Sequence, residues 1–335
     1  MKHFYIITII SFLLLMLALP FVAIIPQGSS EDWPGGDISM FDEYFDVFLS
    51  QSGEVVRMSM EEYLFGVVTA EISFLGEDAA VKSQIVASYT FALYRREQRR
   101  QNPDSSIGYA DISDNIASDQ AFLWGEGARE RLGARYEESR ARFTRLMGEV
   151  GGKYLQYDGR PILAVYHAVS AGRTESAYYV WGAEIPYLQP AESVGDLLAP
   201  DYLTTVSYTP YEFLQRLTEM EAAVNDNEPN AIPEFTLELL YALINEPTRS
   251  ESGYVLEKTI GYNTFTGRQI REHFALRSAN FDLAFSDDAF VFTVRGYGHG
   301  VGMSQFGARY MAEQGSCFEE ILNWFFSGAV IATIG

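Results

Sequence analysis

An uncharged apolar run from Phe4 to Ile25 is the feature that most constrains the fold. Such a run of about twenty residues is long enough for a helix to cross the roughly 30 Å hydrocarbon layer of a membrane. Because Lys2 precedes it, the amino terminus is expected in the cytoplasm and the rest of the chain outside. The sequence therefore predicts a membrane anchor (residues 1–26), a Ser/Gly/Pro-rich linker (27–42) and an extracytoplasmic domain (43–335).

A cleaved signal peptide is the competing interpretation of this run, because Ala18-Leu19-Pro20 ends its most apolar part. The apolar core of a signal peptide is usually only about 7 to 15 residues long and is followed by an A-x-A site. The run here is longer, and no clear A-x-A site follows it. We therefore favour an uncleaved, single-pass anchor in the cell membrane.

The charge and cysteine content exclude several partners and sites. The chain has 45 acidic and 24 basic residues, a formal net charge of −21. This balance opposes binding to nucleic acid, which requires cationic groups against the phosphates, and to anionic lipid surfaces. Cys317 is the single cysteine, so an internal disulfide and a thiolate-rich zinc site are both excluded.

Local patterns predict an α+β fold for the extracytoplasmic domain, with mixed helices and sheets. The elements expected in chain order are two strands within 43–58, a helix capped by Ser59 with Glu62, a helix over about 78–100, a charged helix over 128–147, a hairpin over 154–169, an acidic helical region over 210–247, a strand over 290–295, a helix over about 304–313 and a last helix capped by Ser316 with Glu319. The acidic region over 210–247 has no recognisable catalytic feature.

Glu71 is the first candidate for a catalytic group. Met60, Leu64, Val67 and Val68 recur at the spacing of an amphipathic helix, and Glu71 continues that apolar row. A carboxyl group held against apolar neighbours loses hydration, which favours its neutral form and suits it to general acid catalysis. A buried glutamate paired with an arginine explains the same position equally well, so the pattern leaves both interpretations open.

A glycine-rich loop from Arg295 to Gln305 is the second candidate. Its alternate glycines fail the G-x-G-x-x-G pattern, and it lacks the G-K-[ST] ending of a phosphate loop, so a nucleotide site is disfavoured. The loop would let a ligand approach the backbone closely, with Tyr297, His299 and Gln305 as polar or stacking groups. A tight structural turn with a hydrogen-bonded histidine is the alternative.

Two other chemistries are disfavoured. His167 and His299 have no third metal ligand at a characteristic spacing, and H-E-x-x-H is absent. Ser170 lacks the G-x-S-x-G setting of a hydrolase nucleophile. We therefore predict no metal and no other cofactor, and we disfavour a metal-dependent peptidase and a serine hydrolase.

Several motifs, in a shared order, resemble the stage II sporulation protein D family across nearly the whole chain after the apolar run. The matching segments are Glu62–Glu71 (EYLFGVVTAE), Ala80–Ala87 (AVKSQIVA), Tyr166–Glu175 (YHAVSAGRTE), Val180–Gly182 (VWG), Pro186–Leu188 (PYL), Thr266–Arg268 (TGR), Leu276–Ser278 (LRS) and Gly296–Gln305 (GYGHGVGMSQ).

This resemblance implies a membrane-anchored lytic transglycosylase that cleaves peptidoglycan glycan strands from which the stem peptides have been removed. In that family the glutamate matching Glu71 is the catalytic acid/base. A single carboxylate suffices because no water enters the reaction, and the product ends in a 1,6-anhydro-muramyl sugar. The implied partners are the glycan strands, a cell-wall amidase or endopeptidase, and other membrane proteins of forespore engulfment.

We expect a glycan-binding groove with Glu71 at its floor and two loops, His167–Thr174 and Gly296–Gln305, as its walls. Arg173 is expected to face the lactyl carboxylate, with a surface salt bridge as the alternative. The residues expected to bind substrate are Lys82, Gln84, Tyr89, His167, Ser170, Arg173, Tyr297, His299 and Gln305.

The chain departs from the family pattern at two places. The family's Glu-Met-Pro is Glu71-Ile72-Ser73 here, and Tyr89 stands where the family has an arginine in the second helix. The loss of that guanidinium keeps a second interpretation open. In it, the protein binds glycan without cleaving it and activates a cell-wall amidase.

Overall fold

The structure, a computed structural model, describes residues 44–225, 234, 236, 239, 243, 245–260 and 263–334. The predicted anchor (1–26) and linker (27–42) lie outside these residues, as does much of the acidic region over 210–247. Within the part that is described, no helix combines the length and the apolar character that a membrane crossing requires.

The described chain contains both helices and strands. The helices are α1 (Met60–Glu71), α2 (Asp78–Gln101), α3 (Glu126–Leu132), α4 (Tyr136–Val150), α5 (Ala177–Trp181), α6 (Pro210–Val224), α7 (Gly267–His273), α8 (Gln305–Glu313) and α9 (Phe318–Phe325). The strands are β1 (Tyr44–Leu49), β2 (Glu54–Ser59), β3 (Ile112–Ser113), β4 (Lys153–Tyr157), β5 (Arg160–Pro161), β6 (Tyr166–His167), β7 (Leu203–Tyr208), β8 (Thr248–Arg249), β9 (Val255–Ile260), β10 (Asn263–Thr266), β11 (Phe281–Ser286), β12 (Ala289–Arg295), β13 (Met303–Ser304) and β14 (Val330–Thr333).

The strands form small sheets with the orders β2-β1-β3, β10-β9-β8, β11-β12-β7, β13-β6 and β14-β4-β5. β1 runs parallel to β3, whereas β4, β9 and β12 each pair antiparallel with both neighbours. The expected mixture of helices and sheets is therefore confirmed.

The described residues group into two compact units. The first, which we call the helical unit, comprises residues 44–166, 186–188 and 308–334. The second, which we call the sheet unit, comprises the described residues within 167–185 and 189–307. The chain passes from the helical unit to the sheet unit within β6, between Tyr166 and His167.

In the helical unit, α1 is surrounded by other elements. All its residues from Tyr63 to Thr69 are buried, so the prediction of an amphipathic helix was wrong: packing covers every side of its middle turns. The Phe65 ring lies 5.4 Å from the Phe143 ring of α4, centroid to centroid. The predicted cap is confirmed, because the Oγ of Ser59 accepts a hydrogen bond from the N–H of the third helical residue.

The predicted charged helix over 128–147 is divided in the structure. Gly133 caps α3 with a φ of +53°, a left-handed conformation that breaks the helix and that glycine adopts without strain. A 3-10 turn, Gly133–Arg135, then leads into α4. The last helix also differs from its prediction, since the Cys317 N–H donates to Glu320 Oε2 at 2.9 Å, one residue after the predicted Ser316 cap.

The predicted hairpin over 154–169 is only partly correct. Asp158 and Gly159 have φ values of 51° and 75°, as a tight hairpin turn requires, and they join β4 to β5. Beyond β5, hydrogen bonds from Ala164 N–H to Ile162 O and from Val165 N–H to Leu163 O bend the chain in consecutive three-residue turns. The next strand, β6, therefore belongs to a different sheet.

In the sheet unit, aromatic residues of α6 and β12, and Phe274 at the end of α7, form the centre of the core. Phe213 stacks on Phe290 with ring centroids 4.0 Å apart, and Phe274 lies 4.9 Å from Phe213. α6 begins with Pro210 at its first helical position and Thr209 as its cap. The helical prediction for the first part of the acidic region is therefore confirmed.

Candidate active site

Glu71 is the last residue of α1 and is half-buried. The chain leaves the helix through Ser73 and Phe74, whose φ values of 49° and 57° are left-handed. Ser73 stabilises this exit, because its N–H donates to Val68 O at 3.0 Å and its Oγ to Thr69 O at 3.0 Å. A proline cannot adopt this φ and has no N–H to donate. The backbone that positions Glu71 therefore requires a residue other than proline at position 73.

Two uncharged groups form hydrogen bonds with the Glu71 carboxyl group. The N–H of Ala121 donates to Oε1 at 3.0 Å. The phenol of Tyr166 is the second partner, and its single proton is donated either to this carboxylate or to Gln120 Oε1, 2.6 Å away. Burial, followed by the negative charge of Glu71, raises the pKa of Tyr166 well above its ordinary value, so the phenol stays neutral.

A chain of hydrogen bonds extends from Tyr166 into the helical unit. Its hydroxyl lies 2.6 Å from Gln120 Oε1 and accepts from Ser88 Oγ at 3.4 Å. Ser88 in turn accepts from Gln84 Nε2 at 3.0 Å. Gln120 Nε2 donates to Tyr63 Oη at 2.9 Å. Because each of these side chains is held by the next, the groups beside Glu71 are fixed in orientation.

The three predicted substrate-binding residues of α2 lie in different surroundings. Gln84 is buried and belongs to the hydrogen-bond chain beside Glu71. Lys82 forms an ion pair with Glu149 of α4. Tyr89, which is 3% exposed, packs in the core with its ring edge-on to Phe45. Of the three, Gln84 is the one that the structure connects to the surroundings of Glu71.

His167 is a buried, neutral histidine of the sheet unit. Burial lowers its pKa to about 4. Nδ1 lies 3.1 Å from Val301 O, and because a carbonyl only accepts, Nδ1 carries the proton. Nε2 is buried and has no hydrogen-bond partner among the residues that the structure describes. The ring lies 5.6 Å from that of His299, which lies 5.2 Å from Trp181.

The glycine-rich loop packs closely against its neighbours. Gly296, Gly298, Gly300 and Gly302 all have positive φ values, between 72° and 119°. A side-chain Cβ at Gly298 would lie 2.6 Å from the Cβ of His167. A Cβ at Gly296 would meet the backbone of Val169 and Ser170, and one at Gly300 the Tyr254 ring. These glycines therefore allow a tight backbone path, which fits the alternative of a structural turn.

Asp196 joins the two predicted wall loops within the sheet unit. Its fully buried carboxylate accepts hydrogen bonds from Ser170 N–H and Ser304 Oγ, both at 2.8 Å. Burial raises its pKa, against the lowering effect of these bonds. The structure thus brings Ser170 and the glycine-rich loop together through Asp196, which was not among the predicted site residues.

The other predicted residues of the sheet unit lie at or near its surface. Arg173 Nε lies 3.5 Å from Glu192 Oε1, which fits the predicted alternative of a surface salt bridge. Tyr297 is 47% exposed, and the Arg277 guanidinium lies 4.4 Å from its ring centroid. Gln305 is the first residue of α8 and is half-buried.

The predicted site residues thus fall into two groups. Glu71 and the α2 residues belong to the helical unit, and the two wall loops belong to the sheet unit. The glycan groove that would combine them stays a prediction. Within the described ranges, no three His, Cys, Asp or Glu side chains are grouped so that they could hold a metal ion.

Gln120, Ala121 and Tyr166 are neighbours of Glu71 that were not predicted from the sequence. Tyr166 stands beside His167 within a motif of the family resemblance, and this motif is the signal that could have identified it. Ala121 acts through its backbone N–H, which every residue except proline has. No sequence pattern singles out such a group.

This protein is similar in sequence to known sporulation proteins. The profile of a family described as Stage II sporulation protein matches residues 50–157. Stage II sporulation protein D of Bacillus subtilis (strain 168) is 30% identical over 286 residues, covering 85% of this chain and 78% of that protein. Stage II sporulation protein D of Bacillus amyloliquefaciens matches with the same identity and coverage.

A more distant relative has a different name. The amidase enhancer of Bacillus subtilis is 24% identical over 220 residues, covering 54% of this chain and 31% of that protein. The matched family profile and the two Bacillus proteins of 30% identity place this protein in the class of sporulation proteins. Since identity of 30% extends over most of both chains, this protein belongs to the stage II sporulation protein D family.

Proposed function

We propose that this protein is a lytic transglycosylase that cleaves peptide-free peptidoglycan glycan strands, with Glu71 as its acid/base. The observation that carries the proposal is the setting of Glu71. Its carboxyl group is half-buried at the end of a buried helix and forms hydrogen bonds with two neutral groups, Ala121 N–H and the Tyr166 phenol. Such a carboxyl group can exchange a proton with a substrate.

The reaction needs one carboxyl group in two successive roles. Protonated Glu71 gives its proton to the glycosidic oxygen as the bond from that oxygen to C1 of the muramyl residue breaks. The carboxylate then takes the proton of the C6 hydroxyl of the same residue while that oxygen bonds to C1. The products are a 1,6-anhydro-muramyl end and a free hydroxyl, and Glu71 is protonated again.

The environment of Asp119 supports transglycosylation over hydrolysis. An inverting hydrolase uses a second carboxylate to activate water. Asp119 acts electrostatically on Tyr63, as Glu71 does. However, its fully buried side chain is bound by Arg95 and Arg99. A carboxylate held in this way is not available to a water molecule.

The deciding experiment compares the full-length protein in detergent with its Glu71→Gln variant. Both are incubated with peptide-free glycan strands in EDTA, and the products are analysed by mass spectrometry. We expect anhydro-muramyl ends from the parent protein and a rate about 10²- to 10⁴-fold lower from the variant, since general acid–base catalysis contributes that much.

Glu130→Gln is the matched control, because Glu130 is exposed on α3 and its loss removes the same charge. It should cleave at the parental rate. Absence of anhydro ends from the parent, or full activity of Glu71→Gln, would rule out the assignment.

A second function is favoured by the similarity to a protein named amidase enhancer. In this alternative, the protein binds glycan and activates a cell-wall amidase without cleaving the strand. Glu71→Gln separates the two functions, because it should abolish cleavage in the first and leave stimulation of an amidase unchanged in the second.

The setting of this activity is also part of the proposal. The apolar run from Phe4 to Ile25 would hold the protein in the cell membrane with its catalytic part outside the cytoplasm. Family membership supports a role in engulfment of the forespore, together with a cell-wall amidase or endopeptidase and other membrane proteins.

A further inference from the structure

Residues 119–123, which we call the amide loop, precede α3 in the helical unit. Asp119 begins the loop with a fully buried side chain. Its oxygens lie 2.9 Å from Arg95 Nε and 2.6 Å from Arg99 Nη2, both on α2. They also accept hydrogen bonds from the N–H and Oγ of Ser113 on β3. One carboxylate therefore ties the start of the loop to two elements.

The other end of the amide loop lies on α1. Phe122 stacks on Tyr63 with ring centroids 5.4 Å apart and an interplanar angle of 23°. Leu123 N–H donates to Gly66 O at 3.3 Å. A Cβ at Gly66 would lie 2.4 Å from Phe122 Cε2. The loop can lie this close to α1 only because position 66 has no side chain.

The middle of the amide loop supplies groups to the surroundings of Glu71. Ala121 N–H donates to Glu71 Oε1 at 3.0 Å. Gln120 lies 2.6 Å from the Tyr166 hydroxyl and donates to Tyr63 at 2.9 Å. The two anchored ends therefore fix a backbone amide against the carboxyl group.

We propose that Asp119 is a positioning residue: by anchoring the amide loop to α2, it holds the N–H of Ala121 against the Glu71 carboxylate. Its effect on catalysis rests on the proposed function. When Glu71 gives its proton away, it becomes negatively charged, and a preorganised N–H stabilises that charge. A loosened loop would therefore lower kcat, whereas KM depends on contacts with the glycan and would change little.

A purely structural role is the competing explanation for a buried carboxylate between two arginines. Loss of one partner of a buried ion pair leaves the other charge uncompensated, and this destabilises the fold whether or not catalysis is affected. A fall in activity alone would not separate the two roles. The hydrogen bond between Ala121 and Glu71 has to be observed directly.

Nuclear magnetic resonance provides this observation. In the full-length protein labelled with ¹⁵N-alanine in detergent micelles, the Ala121 amide proton should shift with pH as the Glu71 carboxyl group titrates. In Glu71→Gln this titration should disappear. The phenols of Tyr63 and Tyr166 also face the network, but burial raises their pKa values well above the usual range. The charged groups nearby include Asp119, Arg95 and Arg99, and also Arg131 and Arg135, which donate to Ser73 Oγ at 2.9 Å and Ser73 O at 3.4 Å.

Asp119→Asn should reduce the Ala121 titration strongly and lower kcat by about tenfold or more, with KM little changed. Arg95→Gln is a milder variant, because it keeps the pair of Arg99 with Asp119. It should change the titration and kcat in the same direction but less. If Asp119→Asn does not fold, Arg95→Gln carries the test.

Asp282→Asn is the control, because Asp282 also lies 2.7 Å from two arginines, Arg249 and Arg295, but belongs to the sheet unit. It should leave the Ala121 titration and kcat unchanged. If both Asp119→Asn and Arg95→Gln showed the same Ala121 titration and the same kcat as the parent protein, the inference would be overturned. If the parent forms no anhydro ends, the proposed function fails, while the titration still decides whether Asp119 positions the amide.

Discussion

The neutral, buried imidazole of His167 links stability to pH at the scale of a single residue. Its pKa in the folded protein is about 4, against an ordinary value of 6.5. Between these values the unfolded chain binds a proton that the folded protein does not, so this contribution to stability is complete above pH 6.5 and is lost as the pH falls towards 4. The free energy of unfolding that is lost over this pH range amounts to about 3 kcal/mol.

His167→Gln should therefore reduce the loss of stability between pH 7.5 and pH 5, which denaturant unfolding of both proteins at the two pH values would measure. His273→Gln is the control. Burial also lowers the pKa of His273, but that side chain is only half-buried, so its effect should be smaller. An equal loss of stability in the parent and in His167→Gln would show that the imidazole is not the group that titrates.

Single residues also show what a sequence can reveal about a site. The position of Glu71 on a helix and the histidines of the two loops were predicted from spacing and motifs. Asp196 and Asp119 were not, because a carboxylate that organises a loop resembles any surface aspartate until its partners are known. Those partners, Ser304 and Arg95, stand far away in the chain.

At the scale of elements, the contact of the amide loop with α1 depends on Gly66. We expect Gly66→Ala to destabilise the protein by about 1–3 kcal/mol, because the new methyl group overlaps with Phe122. It should also lower the proposed transglycosylase activity, since the displaced loop carries the Ala121 amide. Urea unfolding and the rate of formation of anhydro ends would measure the two effects.

Gly148→Ala in α4 is the matched control for this prediction. A Cβ at Gly148 meets no atom within 4 Å, and the same substitution removes a flexible residue from a helix. It should therefore stabilise the protein by roughly 0.5–1 kcal/mol and leave activity unchanged. If both glycine variants behaved alike, packing against Phe122 would not be the cause.

The elements predicted from sequence failed where distant contacts decide local structure. The two strands over 43–58, the helix after Ser59 and the helix over about 78–100 were predicted correctly, since their patterns and caps are local. The second strand of the hairpin expected over 154–169 is bent at Leu163, whose N–H donates to Tyr187 Oη at 3.1 Å. That partner comes from a segment with no local signal for the contact.

At the scale of the whole molecule, family membership is the most secure inference from sequence, because it depends on many motifs in order. The division into two compact units was not foreseen. Residues 186–188 and 308–334 return to the helical unit after the sheet unit has begun, and no local pattern marks such a return.

The predicted anchor is testable at this scale. Because the run from Phe4 to Ile25 carries no charge, we expect the full-length protein to stay with membranes after extraction at alkaline pH. A chain beginning at Gln27 lacks this run, so it should be found in the soluble fraction after the same treatment. Protease added to intact protoplasts should degrade the domain, and its protection would contradict an extracytoplasmic location.

The pairing of β14 with β4 has a consequence for biosynthesis. Ile331 lies opposite Leu155, so the last described strand completes a sheet whose other strands are made much earlier. During synthesis, residues 44–166 emerge from the ribosome well before residues 330–333 have been added. The unit that carries Glu71 therefore cannot acquire its complete sheet until residue 333 has been synthesised, and termination before that point would leave the edge of β4 open to pairing with other chains.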